Sequence, residues 1–192
     1  MLIGVDASRA AVHHRTGTET YSVYVIRELL RLGLQHQFRL YTNGALLDDL
    51  LWSGVAPAHV EVRSIPFRRL WTHLRLSTEV LIHEPDVLFV PAHVLPLVHP
   101  RRSVVTVHDL GYLYYPEAHT HGARRYLDWS TRWNAVRATA VLADSEATRS
   151  DLIHSYGAIP EKIHVVYLGR DAGLTRVNDP LRLDEMRTRY GL

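Results

Sequence analysis

The residues Val104-Val105-Thr106-Val107-His108-Asp109-Leu110 decide the reading of this 192-residue chain. Four β-prone residues run directly into a His-Asp pair, and Gly111-Tyr112 follows. A short apolar run of this kind reads as a strand buried on both faces of a parallel sheet. In open α/β sheets, ligands bind in the crevice beyond the carboxyl ends of the strands. His108 and Asp109 stand at that end and are the candidates for catalysis. The plainer alternative is a His that caps a loop and an Asp that opens a turn.

The flanking sequence repeats the pattern of strand, loop and helix. Leu2-Ile3-Gly4-Val5-Asp6 reads as a first strand, Phe38-Arg39-Leu40-Tyr41-Thr42 as a second and Val60-Glu61-Val62-Arg63-Ser64-Ile65 as a third. Val87-Leu88-Phe89-Val90 precedes the central strand, and Ala140-Val141-Leu142-Ala143 and Ile163-His164-Val165-Val166-Tyr167 follow it. Helical spacing fills the intervals, with a helix expected over 67–83 carrying Leu70, Trp71, Leu74, Ser77 and Leu81 on one side. A short helix is expected over 46–52. A further helix over 123–138 presents Tyr126, Trp129, Trp133 and Val136 as an apolar stripe toward the core. Alternation of this kind predicts an α/β domain of three layers, α/β/α, with a mostly parallel sheet. His93 ends the fourth strand and is placed to line the same crevice as His108.

Thr16-Gly17-Thr18-Glu19-Thr20-Tyr21 opens the first helix. Thr16 with Glu19 three residues later fits a capping box. The free N–H groups of such a helix start favour a phosphate or another anion; an ordinary helix start is the alternative. The loop after the central strand holds Tyr112, Tyr114 and Tyr115 with His and Glu, a mixture suited to a sugar or to a packing joint. Ser145 reads as the N-cap of the next helix, with Glu146 beside it.

Apolar residues make up 46% of the chain, enough for a substantial core. There is no Cys, which excludes disulfides and thiolate metal sites. The 13 His residues show no metal-ligand spacing, so no metal and no cofactor is expected. Net charge is +2 and the isoelectric point about 9.0. That balance is only mildly basic, and no nucleic-acid partner is expected. Arg68, Arg69 and Arg75 around Trp71 could rest on an anionic membrane surface, or could simply be solvated. No window is apolar for the length of a membrane span, and the first strand meets an acid too early for a signal peptide. A cytoplasmic chain is the expectation, with peripheral contact at the inner membrane face as an option.

Several of these pieces, in this order, resemble the N-terminal domain of a GT-B glycosyltransferase of family 4. They are Ile3-Gly4-Val5-Asp6; Thr16-Gly17-Thr18-Glu19-Thr20-Tyr21-Ser22; Val107-His108-Asp109; Ala143-Asp144-Ser145-Glu146 with Ser150-Asp151-Leu152; and Val165-Val166-Tyr167-Leu168-Gly169-Arg170-Asp171. Each motif is loose, and their order and spacing make the match specific. The resemblance implies a Rossmann-like acceptor-side domain over 1–171. Residues 172–192 would form a linker and short helix leading toward a C-terminal donor-binding domain. It implies retention of anomeric configuration, a nucleotide-sugar donor and a glycan or lipid-linked acceptor. Thr16, Gly17 and Thr18 would approach the donor phosphates. Glu19, Tyr21, His93, Tyr112, Ser145 and Glu146 are further substrate-binding candidates. Glu19 stands where many relatives carry a second glycine. Two rival readings are a non-catalytic glycan or lipid-headgroup binding module, or subunit pairing with a separate catalytic chain, and a Rossmann enzyme with a nucleotide cofactor. A nicotinamide site calls for more glycine after the first strand and an acid after the second, where Thr42-Asn43 stands instead.

Overall fold

The structure is a computed structural model and describes residues 1–44, 56–67, 69–92, 94–171 and 173–192. The expected helix over 46–52, Arg68 and His93 lie outside the described residues. The strands are β1 (Leu2–Asp6), β2 (Gln37–Thr42), β3 (Val60–Ser64), β4 (Val87–Val90), β5 (Ser103–Val107), β6 (Ala140–Ala143) and β7 (Ile163–Val165). They form one sheet in the order β3-β2-β1-β4-β5-β6-β7, every described pair parallel. Helices α1 (Gly17–Leu32), α2 (Ser77–Ile82), α3 (Gly111–Tyr114), α4 (His121–Arg137), α5 (Glu146–Tyr156) and α6 (Pro180–Tyr190) complete the chain. This is the three-layer Rossmann-like arrangement that the alternation predicts.

The core divides across the sheet. Val23, Ile26 and Leu30 of α1 pack with Val5, Phe38, Leu40 and Phe89. Leu76 and Val80, Ala135 of α4, and Leu152 and Tyr156 of α5 pack in a second cluster with Leu88, Val105 and Val141. All these strands end in the same direction, so the loops after β1, β4, β5 and β6 gather along one edge.

Two helices present other faces than their periodicity predicts. The segment expected to be helical from 67 begins at Trp71, after Leu70 adopts φ 55°. A π-helical turn, Thr72–Leu76, leads into α2. The wider turn buries Trp71, Leu76, Ser77 and Val80, while Leu70, Leu74 and Leu81 are exposed. The five-residue step from Trp71 to Leu76 is the period of that turn. Along α4 the buried residues are Ser130, Thr131, Asn134 and Ala135. Tyr126, Trp129 and Val136 are exposed, so most of the expected core stripe lies at the surface, while Trp133 is half-buried against the core. The reason is a specific clamp: Asn134 Oδ1 accepts from the Leu95 N–H at 2.9 Å, and this turns the polar face inward.

Candidate active site

The register of β5 and β6 assembles the site. Val107 pairs with Ala143, so the next residues, His108 and Asp144, meet beyond the strand ends. His108 Nδ1 lies 2.6 Å from Asp144 Oδ2, and Nε2 lies 3.1 Å from the carbonyl oxygen of Pro91, just past β4. A carbonyl oxygen only accepts, so Nε2 carries a proton. The ring is therefore a fixed, proton-bearing group with both nitrogens engaged. Thr148 Oγ1 donates to the His108 carbonyl at 3.0 Å, which ties the loop to the first turn of α5.

The tip of α1 closes on the same point. Tyr21 meets the His108 ring edge-on, with centroids 4.8 Å apart, and its hydroxyl is 3.2 Å from Thr106 Oγ1. Burial, with the nearby Asp144 charge, pushes the Tyr21 phenol above its ordinary value against the Thr106 hydrogen bond. Tyr21 thus stays a neutral hydrogen-bonding group. Thr16 and Gly17 are exposed and Thr18 half-buried. A side chain at Gly17 would meet no atom within 4 Å, so the space over this tip is open.

Glu19 turns away from that space. Its carboxylate accepts from the Thr16 N–H at 3.0 Å and from the Thr16 hydroxyl, and it pairs with Arg9 at 3.3 Å. Burial opposes its ionisation, but the Thr16 hydrogen bonds, its own amide and Arg9 outweigh that and hold the carboxyl below its usual range. A charge committed to the cap leaves the helix tip able to receive an anion.

Of the other sequence candidates, Asp109 accepts from the Gly111 N–H at 2.8 Å and shapes the loop. Ser145 caps α5 by accepting from Thr148 N–H at 3.1 Å. Glu146 is exposed and stands 3.8 Å from Arg149. Tyr112 is not at the crevice surface. It is 4% exposed within the core, and its hydroxyl bonds that of Tyr156 at 2.7 Å, which in turn donates to Asp128. The apolar face of α3 carries it inward.

Two residues were absent from the candidates. Asp144 was read only as part of a helix-start motif; aligning the ends of the β5 and β6 runs reveals it opposite His108. Asp6, at the end of β1, is 2% exposed. One carboxylate oxygen accepts from Ser8 N–H at 3.0 Å and the other has no hydrogen-bond partner among the described residues. Burial pushes its carboxyl up to about 6 despite the Ser8 hydrogen bonds and Arg9. Among the described residues no three His, Asp or Glu side chains converge on a metal-sized site.

The model of Glycosyltransferase Family 4 matches residues 15–174. The chain belongs to this family. Solved structures agree in fold. HepE from Anabaena, in complex with UDP and glucose, superposes with a TM-score of 0.59 at 16% identity, covering 99% of this chain and 50% of that one. The same protein in complex with UDP-glucose gives 0.59 at 18%, covering 99% and 49%. WaaG, a glycosyltransferase involved in lipopolysaccharide biosynthesis, gives 0.62 at 14%, covering 100% of this chain and 51% of that one. Identities this low speak to the fold alone, which is that of one half of a GT-B glycosyltransferase. The family 4 chain spans about half the length of these structures. Among curated proteins no sequence matches it. Among the described residues no helix is long and apolar enough to cross a membrane.

Proposed function

We propose that this chain is the acceptor-side half of a retaining glycosyltransferase. It moves a hexose from a nucleotide-sugar donor to a glycan or lipid-linked acceptor. Residues 1–171 form the acceptor-side unit, and 172–192 lead toward a donor-binding domain. The observation that carries the reading is the meeting of His108 with the tip of α1 through Tyr21. Sugar transfer from a nucleotide sugar requires stabilisation of a departing diphosphate. The N–H groups at Gly17 and Thr18 offer that stabilisation without a metal ion. His108, its two ring nitrogens taken by Asp144 and the Pro91 carbonyl, walls the crevice and positions the transferring sugar by its fixed ring rather than by taking its proton. HepE is seen with UDP-glucose, which supports a nucleotide-sugar donor here. Asp109, Ser145 and Glu146 shape the loops that bound the crevice.

A lipid-linked acceptor is supported by the edge beyond β3. Pro66, Phe67, Arg69, Leu70 and Leu74 line an open groove of about 820 Å³, with Phe67, Leu70 and Leu74 exposed. Apolar side chains beside Arg69 suit peripheral contact with an anionic membrane at its cytoplasmic face.

The test joins this chain to a family 4 C-terminal domain and follows sugar release and transfer from UDP-glucose and other nucleotide sugars. His108→Ala lowers turnover about 100-fold, the scale of a misplacement of the reacting sugar by about 1 Å. Turnover unchanged by that substitution overturns the role given to His108, and no turnover of any nucleotide sugar overturns the reading.

A further inference from the structure

The aromatic stripe of α4 is an unusual surface. Tyr126, Trp129 and Trp133 follow one another on a single helix face, and Arg137 continues it, a run of about 16 Å along the axis. Tyr126 and Trp129 are 43% and 38% exposed. Burying an aromatic ring is among the largest gains available to a fold, yet here the core receives Ser130, Thr131 and Asn134 instead.

The rings are also held in place. Trp129 stacks on Trp133 at 6.1 Å with an interplanar angle of 18°, and the Tyr126 and Trp129 centroids are 5.8 Å apart. Trp133 Nε1–H donates to the Leu95 carbonyl at 3.1 Å, and the Arg137 guanidinium lies 4.9 Å from the Trp133 ring centre. At the other end His73 Nε2 is 3.2 Å from the Tyr126 hydroxyl, and its ring meets Trp129 edge-on at 5.4 Å. Burial lowers the His73 pKa, so this contact is between neutral groups at pH 7. A platform anchored at both ends loses little conformational freedom when something lies on it.

Its position ties it to the crevice. His73 lies in the π-helical turn that follows β3, and Trp71, two residues before it, donates from Nε1 to the Ile65 carbonyl at 2.8 Å, just past the carboxyl end of β3. Arg9, in the loop after β1, acts electrostatically on Tyr126 and pairs with Glu19 in the first turn of α1. Two residues further along that helix, Tyr21 touches His108. The Tyr126 end of the platform therefore stands on the same edge of the sheet as the imidazole.

We propose that Tyr126, Trp129 and His73 form a saccharide-binding subsite that holds the acceptor glycan. The CH faces of successive sugar rings lie on Tyr126 and Trp129. The Trp129 indole N–H, which makes no hydrogen bond among the described residues, and the Tyr126 hydroxyl meet sugar hydroxyls. This rests on the reading of the chain as an acceptor-side domain, and it names which surface takes the acceptor and what class of group it takes.

The experiment titrates the 192-residue chain with maltotetraose, cellotetraose and chitotetraose. It follows the Trp129 indole resonance and tryptophan fluorescence. At least one oligosaccharide produces a saturable shift of Trp129. Trp129→Ala weakens that affinity about tenfold or more, and Trp129→Phe restores part of it. Trp129→Ala loses the stack on Trp133 and lowers the thermal midpoint, so both variants are titrated well below it, where they are folded. Saccharide binding by this chain is read without any turnover, which separates failure of this subsite from failure of the transfer reading. No shift with any of the three probes overturns the proposal. So does binding that survives Trp129→Ala unchanged, or a Trp129 response only to vesicles of phosphatidylglycerol and phosphatidylcholine, which would make the stripe a membrane surface.

Discussion

His108 Nδ1 stands 2.6 Å from Asp144 Oδ2, across two strands whose sequence positions are 36 residues apart. The two side chains are only 17% and 12% exposed, so water replaces neither partner well. Asp144→Asn keeps the shape and removes the carboxylate that fixes the ring. In the two-domain enzyme we expect turnover to fall at least about tenfold, as for other residues that orient a functional imidazole. KM for the donor should change less than kcat. Unfolding in urea should show a loss of about 1–3 kcal/mol, the cost of disrupting a partly buried hydrogen-bonded pair.

Asp6 gives the fold a pH dependence of defined sign. Its carboxyl titrates near 6 in the folded chain, against 3.8 in the unfolded one. The folded state therefore prefers the protonated form. No penalty exists below about pH 4. The penalty grows as pH rises toward the folded value, and is complete above about pH 7 at about 3 kcal/mol. Asp6→Asn removes this dependence while keeping an oxygen for the Ser8 N–H. Urea unfolding of the two proteins from pH 4 to 8 should show Asp6→Asn gaining on the parent as pH rises. A constant difference across that range contradicts the assignment.

Gly17 separates packing from ligand approach. Nothing lies within 4 Å of a methyl group placed there, and the position begins a helix. Gly17→Ala should leave stability unchanged or raise it by up to about 1 kcal/mol. In the assembled enzyme it should weaken use of a nucleotide diphosphate sugar, because the methyl group occupies the space over the helix tip. Equal turnover by both proteins places the diphosphate elsewhere.

Tyr112 offers the opposite contrast. Its hydroxyl belongs to a chain running through Tyr156 to Asp128. Tyr112→Phe leaves that chain one member short inside the core, at a cost of about 1–2 kcal/mol in urea unfolding. Sugar transfer by the assembled enzyme should be unaffected at temperatures where the variant is folded. A raised KM with unchanged stability would return Tyr112 to the substrate.

The strands, their parallel pairing and the helix starts at Thr16 and Ser145 were legible because each depends on residues close in sequence. Apolar runs of four or five residues need cover on both faces, and capping needs only the next three residues. His108 was legible for the same reason: a strand ends there. Its partner was not, because the register between β5 and β6 is set by packing across the sheet. Helix faces failed where a tertiary contact overrode the period. Asn134 clamped to Leu95 outweighed the aromatic stripe of α4, and the π turn after Trp71 rotated Leu74 and Leu81 outward. Sequence alone determined the order of elements and the edge of the sheet that carries His108. Only the tertiary structure decided which side chains share that edge, because hydrogen bonds between distant residues fix orientations that local propensity leaves open.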